Sequence, residues 1–274
     1  MISGKRRVSD IHYITAGDGC RLAFRFDGEP LRQVLILSNS IATDHHMWDG
    51  QVAELAKSFR VLRYDTRGHG KSDAPAGAYS LDRLGRDVVE LMDALKIEAA
   101  HFCGLSLGGF VGQWLGYRAP ERIDRLILSN TSPYLGPAPQ WDDLIARLLR
   151  DRDMAAMADM FIGNWFPPDM IRDDTEMVDA FRRMILATPP DGLAGCFAVV
   201  RDADLRRTNT LIDRPTLVIG GTDDTVTLAS HSEEIVSAIP GSRLVLLPGV
   251  HMLNVERQDA FVGGVLEWLI PRQS

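Results

Sequence analysis

Short apolar runs alternate along the chain with longer segments in which apolar residues recur at helical spacing. Runs of strand length occupy 21–26, 33–38, 60–65, 100–103, 125–129, 215–220 and 242–247. Segments with helical spacing occupy 48–59, 81–95, 107–117, 231–239 and 259–269. Because strands that alternate with helices form parallel sheets covered on both faces, the pattern predicts an α/β protein with a mainly parallel, doubly wound sheet.

The stretch from about Pro139 to Thr210 interrupts this alternation, because it has helical spacing and no strand-like run. An all-helical insertion between two strands of such a sheet is expected to cover the carboxyl ends of the strands, where α/β proteins have their sites. We therefore predict a helical cap at 139–210, inserted after the sixth strand, and a core formed by 1–138 and 211–274.

The pentapeptide Gly104-Leu105-Ser106-Leu107-Gly108 lies between a predicted strand and a predicted helix. In that setting G-x-S-x-G forms a nucleophile elbow, a strained turn that exposes the serine hydroxyl while the glycines avoid steric clashes. We therefore predict that Ser106 is a nucleophile. A plain glycine-rich turn is the alternative.

A serine nucleophile needs a base, and the base needs an acid that orients it. In this kind of sheet the chain order is serine, acid, histidine. Asp224 follows a late predicted strand, and His251 follows the last one. The adjacent Asp223 is the alternative acid, but the fourth position of a G-x-x-D pattern that starts at Gly221 selects Asp224.

Two backbone amides are the predicted donors to an oxyanion. A tetrahedral intermediate at a carbonyl carries a negative oxygen that needs two preorganised N–H groups. Leu107 begins the helix after Ser106, and Ile41 follows the strand that ends at Leu37. We assign the two donors to the amides of Ile41 and Leu107.

Composition excludes several other classes of function. The chain of 274 residues has a formal net charge of −7, so it carries no electrostatic signature of binding to nucleic acid or to an anionic membrane. Three widely separated cysteines favour neither a disulfide framework nor a zinc site. No apolar run reaches the roughly 18 residues that cross a bilayer. Met1–Arg7 is not followed by the apolar region of a secretory signal, so a cytoplasmic location is expected.

Stretches between about Gly19 and Leu269 carry a more specific signal: Leu37–Ile41, Met47–Gln51, Phe59–Gly70, Phe102–Gly109, Gln113–Gly116, Trp165–Phe166 and Arg201–Asp204. Ser-Asn-Ser at 38–40 and Gln-Trp-Leu-Gly at 113–116 are the most specific of them. Together these stretches resemble one branch of the α/β-hydrolases, the 3-oxoadipate enol-lactonases. The resemblance implies an α/β-hydrolase fold and hydrolysis of the enol-lactone in aromatic catabolism. It also implies Ser106, Asp224 and His251 as the catalytic triad, with the Ile41 and Leu107 amides as the oxyanion hole.

The chain departs from the enol-lactonase pattern in the predicted cap. Leu144 stands where the pattern W-x-x-R-I has arginine, and Leu193 stands where tyrosine is usual. Trp141, Leu144, Trp165 and Phe166 are the candidate pocket residues, and the two leucines make the cap lining more apolar. A carboxylesterase or lactonase acting on neutral substrates is therefore an alternative to the enol-lactonase. A cofactor-free perhydrolase and a small-molecule receptor are further alternatives.

The predicted chemistry requires no cofactor. Asp44, His45 and His46 are residue types that bind metals, but metal-dependent lactonases use an H-x-H-x-D-H cluster. Ser40 and Ala42 stand in place of its first two histidines, so we predict no metal site. The expected partner is a small-molecule lactone or ester, without nucleic acid or membrane, and the oligomeric state stays open.

Overall fold

Eight strands form one sheet in a computed structural model of the protein, which describes residues 11–270. The strands are β1 (His12–Thr15), β2 (Arg21–Asp27), β3 (Val34–Ser38), β4 (Arg60–Tyr64), β5 (Ala100–Leu105), β6 (Ile123–Ser129), β7 (Thr216–Gly221) and β8 (Arg243–Leu247). Their order across the sheet is β1-β2-β4-β3-β5-β6-β7-β8. β2 is antiparallel to both of its neighbours, and every other neighbouring pair is parallel. The predicted mainly parallel α/β sheet is confirmed.

The central strands are buried on both faces, as their continuous apolar runs predict. Every residue of β5 and of β7 is buried. β1 is mostly exposed and lies at one edge of the sheet, and neither an apolar run nor an alternating pattern predicted it. A short edge strand pairs on one side only, so it needs little apolar surface of its own.

Helices cover the sheet and fill the insertion. They are α1 (Asp49–Leu55), α2 (Leu81–Ala94), α3 (Leu107–Arg118), α4 (Ala138–Asp151), α5 (Met154–Trp165), α6 (Pro168–Asp173), α7 (Thr175–Ala187), α8 (Pro190–Asp202), α9 (Ala229–Ala238), α10 (Leu253–Glu256) and α11 (Gln258–Leu269). The helix predicted at 48–59 is shorter than expected, since α1 ends at Leu55, and α10 was not predicted. Residues 107–116 of α3 are all buried, because this helix packs against β5 and β6.

Helices α4 to α8 lie between β6 and β7 in the chain, so the helical insertion follows the sixth strand, as predicted. The run at 125–129 belongs to the sixth strand because β1 precedes the five runs that predicted β2 to β6. Helix α8 contacts the turn after β4 and the residues before α2. The Tyr79 N–H donates to the Gly195 carbonyl oxygen over 3.1 Å. A Cβ atom on Gly192 would lie 2.3 Å from the Gly68 carbonyl oxygen, so the two backbones approach as closely as glycine alone allows.

No helix within residues 11–270 combines the length and the apolar character that a bilayer span requires. The predicted lack of a secretory signal rests on the segment that begins at Met1–Arg7. These seven residues lie outside the residues that the structure describes. That expectation therefore stays a prediction.

The close approach of α8 to the core predicts the effect of a single methyl group. Gly192→Ala should lower the free energy of unfolding by about 1–3 kcal/mol, because the new Cβ displaces the Gly68 backbone. Gly163→Ala is the matched control, since a Cβ there meets no atom within 4 Å. It should leave stability unchanged or raise it by up to about 1 kcal/mol. Urea unfolding measures both variants, and equal stability of the two would contradict the close contact.

Candidate active site

Ser106 lies in the turn between β5 and α3 with a backbone conformation that serine rarely adopts. Its φ is 57° and its ψ is −114°. A positive φ is strained for a residue with a side chain, and this strand-to-helix turn has the strained geometry expected of a nucleophile elbow. Tight neighbours hold it, because a Cβ on Gly104 would lie 2.0 Å from the Gly108 oxygen and one on Gly108 would lie 2.3 Å from the Ser38 oxygen. The Ser106 N–H also donates to the Ser129 carbonyl over 2.9 Å.

Asp224 and His251 form a buried pair. The Nδ1 atom of His251 lies 2.8 Å from Oδ2 of Asp224, and both side chains are fully buried. The same carboxylate oxygen accepts hydrogen bonds from the Thr227 hydroxyl (2.7 Å) and the Asn130 amide (3.0 Å). The other oxygen accepts from the backbone N–H groups of Val226 (2.8 Å) and Thr227 (3.0 Å).

These contacts determine the charge of the Asp224 carboxyl group. Burial raises the pKa of the Asp224 carboxyl, but the nearby His251 and the donated hydrogen bonds outweigh burial and hold the pKa below its usual range. The carboxylate is therefore ionised at neutral pH. Because an ionised carboxylate can only accept, Nδ1 of His251 is the donor of their hydrogen bond, and in a neutral imidazole the lone pair is then on Nε2.

The Nε2 atom of His251 is buried and has no hydrogen-bond partner within residues 11–270. His251 and Ser106 line the same cavity. Asp223, the alternative acid, is exposed, and its carboxylate accepts a hydrogen bond from the Thr222 hydroxyl. Of the two adjacent carboxylates, only Asp224 contacts the histidine.

The cavity has a volume of about 160 Å³ and is lined almost entirely by apolar side chains. Of the predicted site residues, it brings together Ile41, Ser106, Leu107, Trp141, Leu144, Trp165 and His251. A larger surface cleft of about 690 Å³ is lined by residues of α1 and α7 and contains none of these seven residues.

The predicted pocket residue Phe166 does not line this cavity. It is buried and packs against the ring of Phe181, with ring centroids 5.0 Å apart. Phe166 immediately follows the last residue of α5, and consecutive residues at a helix end point in different directions. Trp165 faces the cavity, so its neighbour turns into the packing between α5 and α7.

Several lining residues were missed by the sequence analysis. They are Phe110, Leu135, Met160, Phe161, Asn164, Phe197, Val200 and Val226. Phe161 lies four residues before Trp165 on α5, so helical spacing from Trp165 could have identified it. Met160 and Asn164 lie on the same helix but not at that spacing. The residues from α3 and α8 carry no such signal, because only the tertiary arrangement brings those helices to the cavity.

The two predicted oxyanion donors differ from the neighbouring backbone amides in their hydrogen bonding. Within residues 11–270, the N–H groups of Ile41 and Leu107 make no hydrogen bond. The neighbouring N–H groups all have acceptors: Ser40 donates to Sδ of Met47 (3.1 Å), Ala42 to Nε2 of His69 (2.8 Å) and Gly108 to the Asn39 carbonyl (3.0 Å). Ile41 and Leu107 therefore contribute two free donors at the wall of the cavity that contains Ser106.

The residues Asp44, His45 and His46 lie together, with possible ligand atoms within 4.8 Å of one another. Two other carboxylates already contact the rings, because Nδ1 of His45 lies 2.8 Å from Asp65 and Nδ1 of His46 lies 2.8 Å from Asp49. None of the three residues lines the cavity around Ser106. The cluster is thus separate from the candidate active site, and the expectation of no metal stays a prediction.

A family model described as the alpha/beta hydrolase fold matches residues 33–258. The chain belongs to this family, and its strand order, elbow and helical insertion are those of an α/β-hydrolase. The predicted fold class is confirmed.

Three individual proteins are similar to this chain over most of its length. "3-Oxoadipate enol-lactonase 2" of Acinetobacter baylyi is 38% identical over 234 residues, which cover 85% of this chain and 87% of that protein. The crystal structure of a hydrolase from Pseudomonas aeruginosa matches with a TM-score of 0.94 and 54% identity, over 96% of this chain and 99% of that one. The enol-lactonase from Burkholderia xenovorans matches with a TM-score of 0.91 and 40% identity, over 94% and 99%. The resemblance to enol-lactonases is confirmed, and the family and these relatives support a hydrolase of lactones or esters.

The lowered pKa of Asp224 predicts a pH-dependent contribution to stability. A carboxyl whose pKa is lower in the folded chain stabilises the fold above its unfolded pKa, about 4, and loses that contribution as the pH falls. Asp224→Asn should therefore be less stable than the wild type at neutral pH, with a difference that shrinks between about pH 5 and pH 3. The exposed Asp223→Asn should show no such difference. A stability gap for Asp224→Asn that stays constant with pH would contradict the lowered pKa.

Proposed function

We propose that the protein is a serine hydrolase that cleaves a lactone or carboxylic ester through an acyl-enzyme. Ser106 is the nucleophile, His251 is the general base and Asp224 orients the histidine. The observation that carries the proposal is that Nε2 of His251 is buried without a hydrogen-bond partner in residues 11–270, while His251 lines the same cavity as Ser106 on its strained turn. In that arrangement the only free lone pair of the Asp224–His251 pair is available to the serine proton.

The reaction follows from these groups. Nε2 of His251 takes the proton of Ser106 as Oγ attacks the carbonyl carbon, and the N–H groups of Ile41 and Leu107 stabilise the oxyanion. The intermediate collapses when His251 returns the proton to the leaving oxygen. His251 then takes a proton from a water molecule that attacks the acyl-enzyme, and it returns this proton to Oγ of Ser106 as the bond to the acyl group breaks and the acid is released. Ionised Asp224 stabilises the imidazolium in both steps, and no cofactor takes part.

The insertion is the proposed cap of this site. We assign the cap to 139–210 and the core to 1–138 and 211–274, and α4, α5 and α8 then supply the cavity walls that face the strand ends. One contact supports the assignment, since the Met252 N–H donates to the Trp165 carbonyl oxygen over 3.3 Å. The ring of Trp165 also lies parallel to that of His251, with centroids 6.4 Å apart. The cap is therefore in contact with the catalytic base.

The first substrate candidate is 3-oxoadipate enol-lactone. It is supported by two relatives from Acinetobacter baylyi that are named for this activity and are 38% and 32% identical to this chain. This substrate carries a carboxylate, so an enzyme specialised for it is expected to offer a cation near the bound ligand.

The second candidate is a neutral ester or lactone, and the cavity favours it. Apart from Ser106 and His251, the polar side chain in the lining is Asn164, and no lysine or arginine of residues 11–270 lines the cavity. Arg147 lines a separate cleft, which Trp141 and Leu144 also line. Arg201 donates hydrogen bonds to the carboxylates of Asp142 and Asp202.

The triad assignment predicts a large loss of turnover. Ser106→Ala and His251→Ala should each lower kcat by at least about 10³-fold, because the nucleophile and the base act as a unit. Steady-state hydrolysis of 3-oxoadipate enol-lactone and of p-nitrophenyl butyrate measures the effect. The control His12→Ala changes an exposed histidine on β1 and should keep the wild-type rate.

The same assay distinguishes an enzyme from a small-molecule receptor. Many turnovers per chain indicate an enzyme, whereas a receptor would stop after about one. A Ser106→Ala variant that keeps most of its rate on both substrates would contradict the proposed function.

The cavity lining within residues 11–270 contains no lysine or arginine, and adding one gives a second test of substrate choice. Leu144→Arg should raise kcat/KM for the anionic enol-lactone relative to the neutral ester by about tenfold, since a charge at this wall can pair with the substrate carboxylate. Leu149→Arg is the matched control, because it adds the same charge to an exposed position of α4. If both variants shift the ratio equally, bulk charge and not the cavity wall determines the preference.

A further inference from the structure

The peptide between Ser40 and Ile41 supplies one of the two free N–H groups at the cavity, and Thr43 holds that peptide. The Thr43 hydroxyl lies 2.7 Å from the Ser40 carbonyl oxygen and 3.0 Å from Sδ of Met47. The peptide is trans, so its N–H and its carbonyl point in opposite directions. Binding the Ser40 carbonyl on one side therefore directs the Ile41 N–H to the other side.

His69 holds the next peptide. Its Nε2 atom accepts a hydrogen bond from the Ala42 N–H over 2.8 Å, and its Nδ1 lies 3.2 Å from the Arg67 carbonyl oxygen. The carbonyl can only accept, so Nδ1 donates and Nε2 is left with the lone pair that Ala42 requires. Burial lowers the pKa of His69 to about 4, which keeps the ring neutral at pH 7.

The backbone between these two anchors is strained. Ala42 has a φ of 57°, in the left-handed region that residues with a side chain avoid. Without its anchors, the chain could relax by rotating the 40–41 peptide. That rotation would replace the Ile41 N–H with the Ser40 carbonyl oxygen, a negative dipole at the position where negative charge develops.

We propose that Thr43 and His69 are positioning residues of the oxyanion hole, which hold the 40–41 and 41–42 peptides so that the Ile41 N–H stays directed at the reacting carbonyl. This inference rests on the proposed function. Both side chains are buried, and neither lines the cavity, so they act through Ile41 and do not touch the substrate. His69 belongs to the turn after β4. This turn contacts α8 through Gly68 and contacts the loop after β3 through the hydrogen bond from Ala42 to His69.

The test uses two matched pairs of variants. Thr43→Val keeps the branched shape and removes the hydroxyl, whereas Thr43→Ser keeps the hydroxyl and removes a methyl group. His69→Phe keeps a ring and removes the acceptor, whereas His69→Gln can accept through Oε1 at a similar reach. The second pair gives an independent measurement if Thr43→Val fails to fold.

The loss of a directed oxyanion donor should affect the transition state and not substrate binding. Thr43→Val and His69→Phe should lower kcat on p-nitrophenyl butyrate by about 10- to 100-fold, with KM within about threefold of the wild type. Thr43→Ser and His69→Gln should retain kcat to within about fivefold. Inhibition by butylboronic acid, whose adduct with a serine carries a tetrahedral anion, should weaken in parallel with kcat.

The outcomes are distinguishable. If Ser106→Ala is inactive but Thr43→Val equals Thr43→Ser in kcat and in boronate affinity, the positioning role is overturned and the proposed function stands. A purely structural role, which also overturns the inference, would lower the melting temperature of both members of a pair and leave boronate affinity unchanged. If Ser106→Ala keeps the wild-type rate, the proposed function fails, and the positioning role fails with it.

Discussion

The structure of the candidate site depends on one buried interaction, the hydrogen bond between Asp224 and His251. A carboxylate that is removed from water is unstable unless it is fully hydrogen-bonded, and Asp224 accepts five hydrogen bonds. The donors come from the end of β6 through Asn130, from the loop after β7 and from the loop after β8. The parallel sheet is the reason that these segments meet, because it brings the carboxyl ends of three neighbouring strands to one edge.

The other parts of the site lie around this pair. The elbow brings Ser106 to the same edge from β5, and the loop after β3 brings the Ile41 amide to the same cavity. The insertion completes the apolar walls and covers His251 with the ring of Trp165. A cavity of about 160 Å³ with so few polar groups favours a small acyl group over a large or highly charged one. In the proposed function the core supplies the reacting groups, and α4, α5 and α8 supply most of the cavity wall that would contact a substrate.

Much of this arrangement was predictable from the sequence, for identifiable physical reasons. Buried parallel strands are continuous apolar runs, and an elbow has its own glycine pattern, so β5, Ser106 and α3 could be predicted together. β1 was missed because an exposed edge strand of four residues has no apolar signal. The prediction that Phe166 lines the pocket was wrong, because the direction of a side chain at a helix end depends on where the helix stops. Thr43 and His69 carry no local signal at all, because their contacts join segments of the loop after β3 and the turn after β4 that meet only in the folded chain.

The proposed reaction passes through an ester of Ser106, and that ester can be trapped. The wild-type protein is mixed with p-nitrophenyl butyrate, quenched with acid during the first turnover, and digested for mass spectrometry. We expect a butyryl group on the peptide that contains Ser106, with close to one group per chain, formed together with a burst of p-nitrophenol. Release of p-nitrophenol without an acylated peptide, or a butyryl group on another residue, would contradict it.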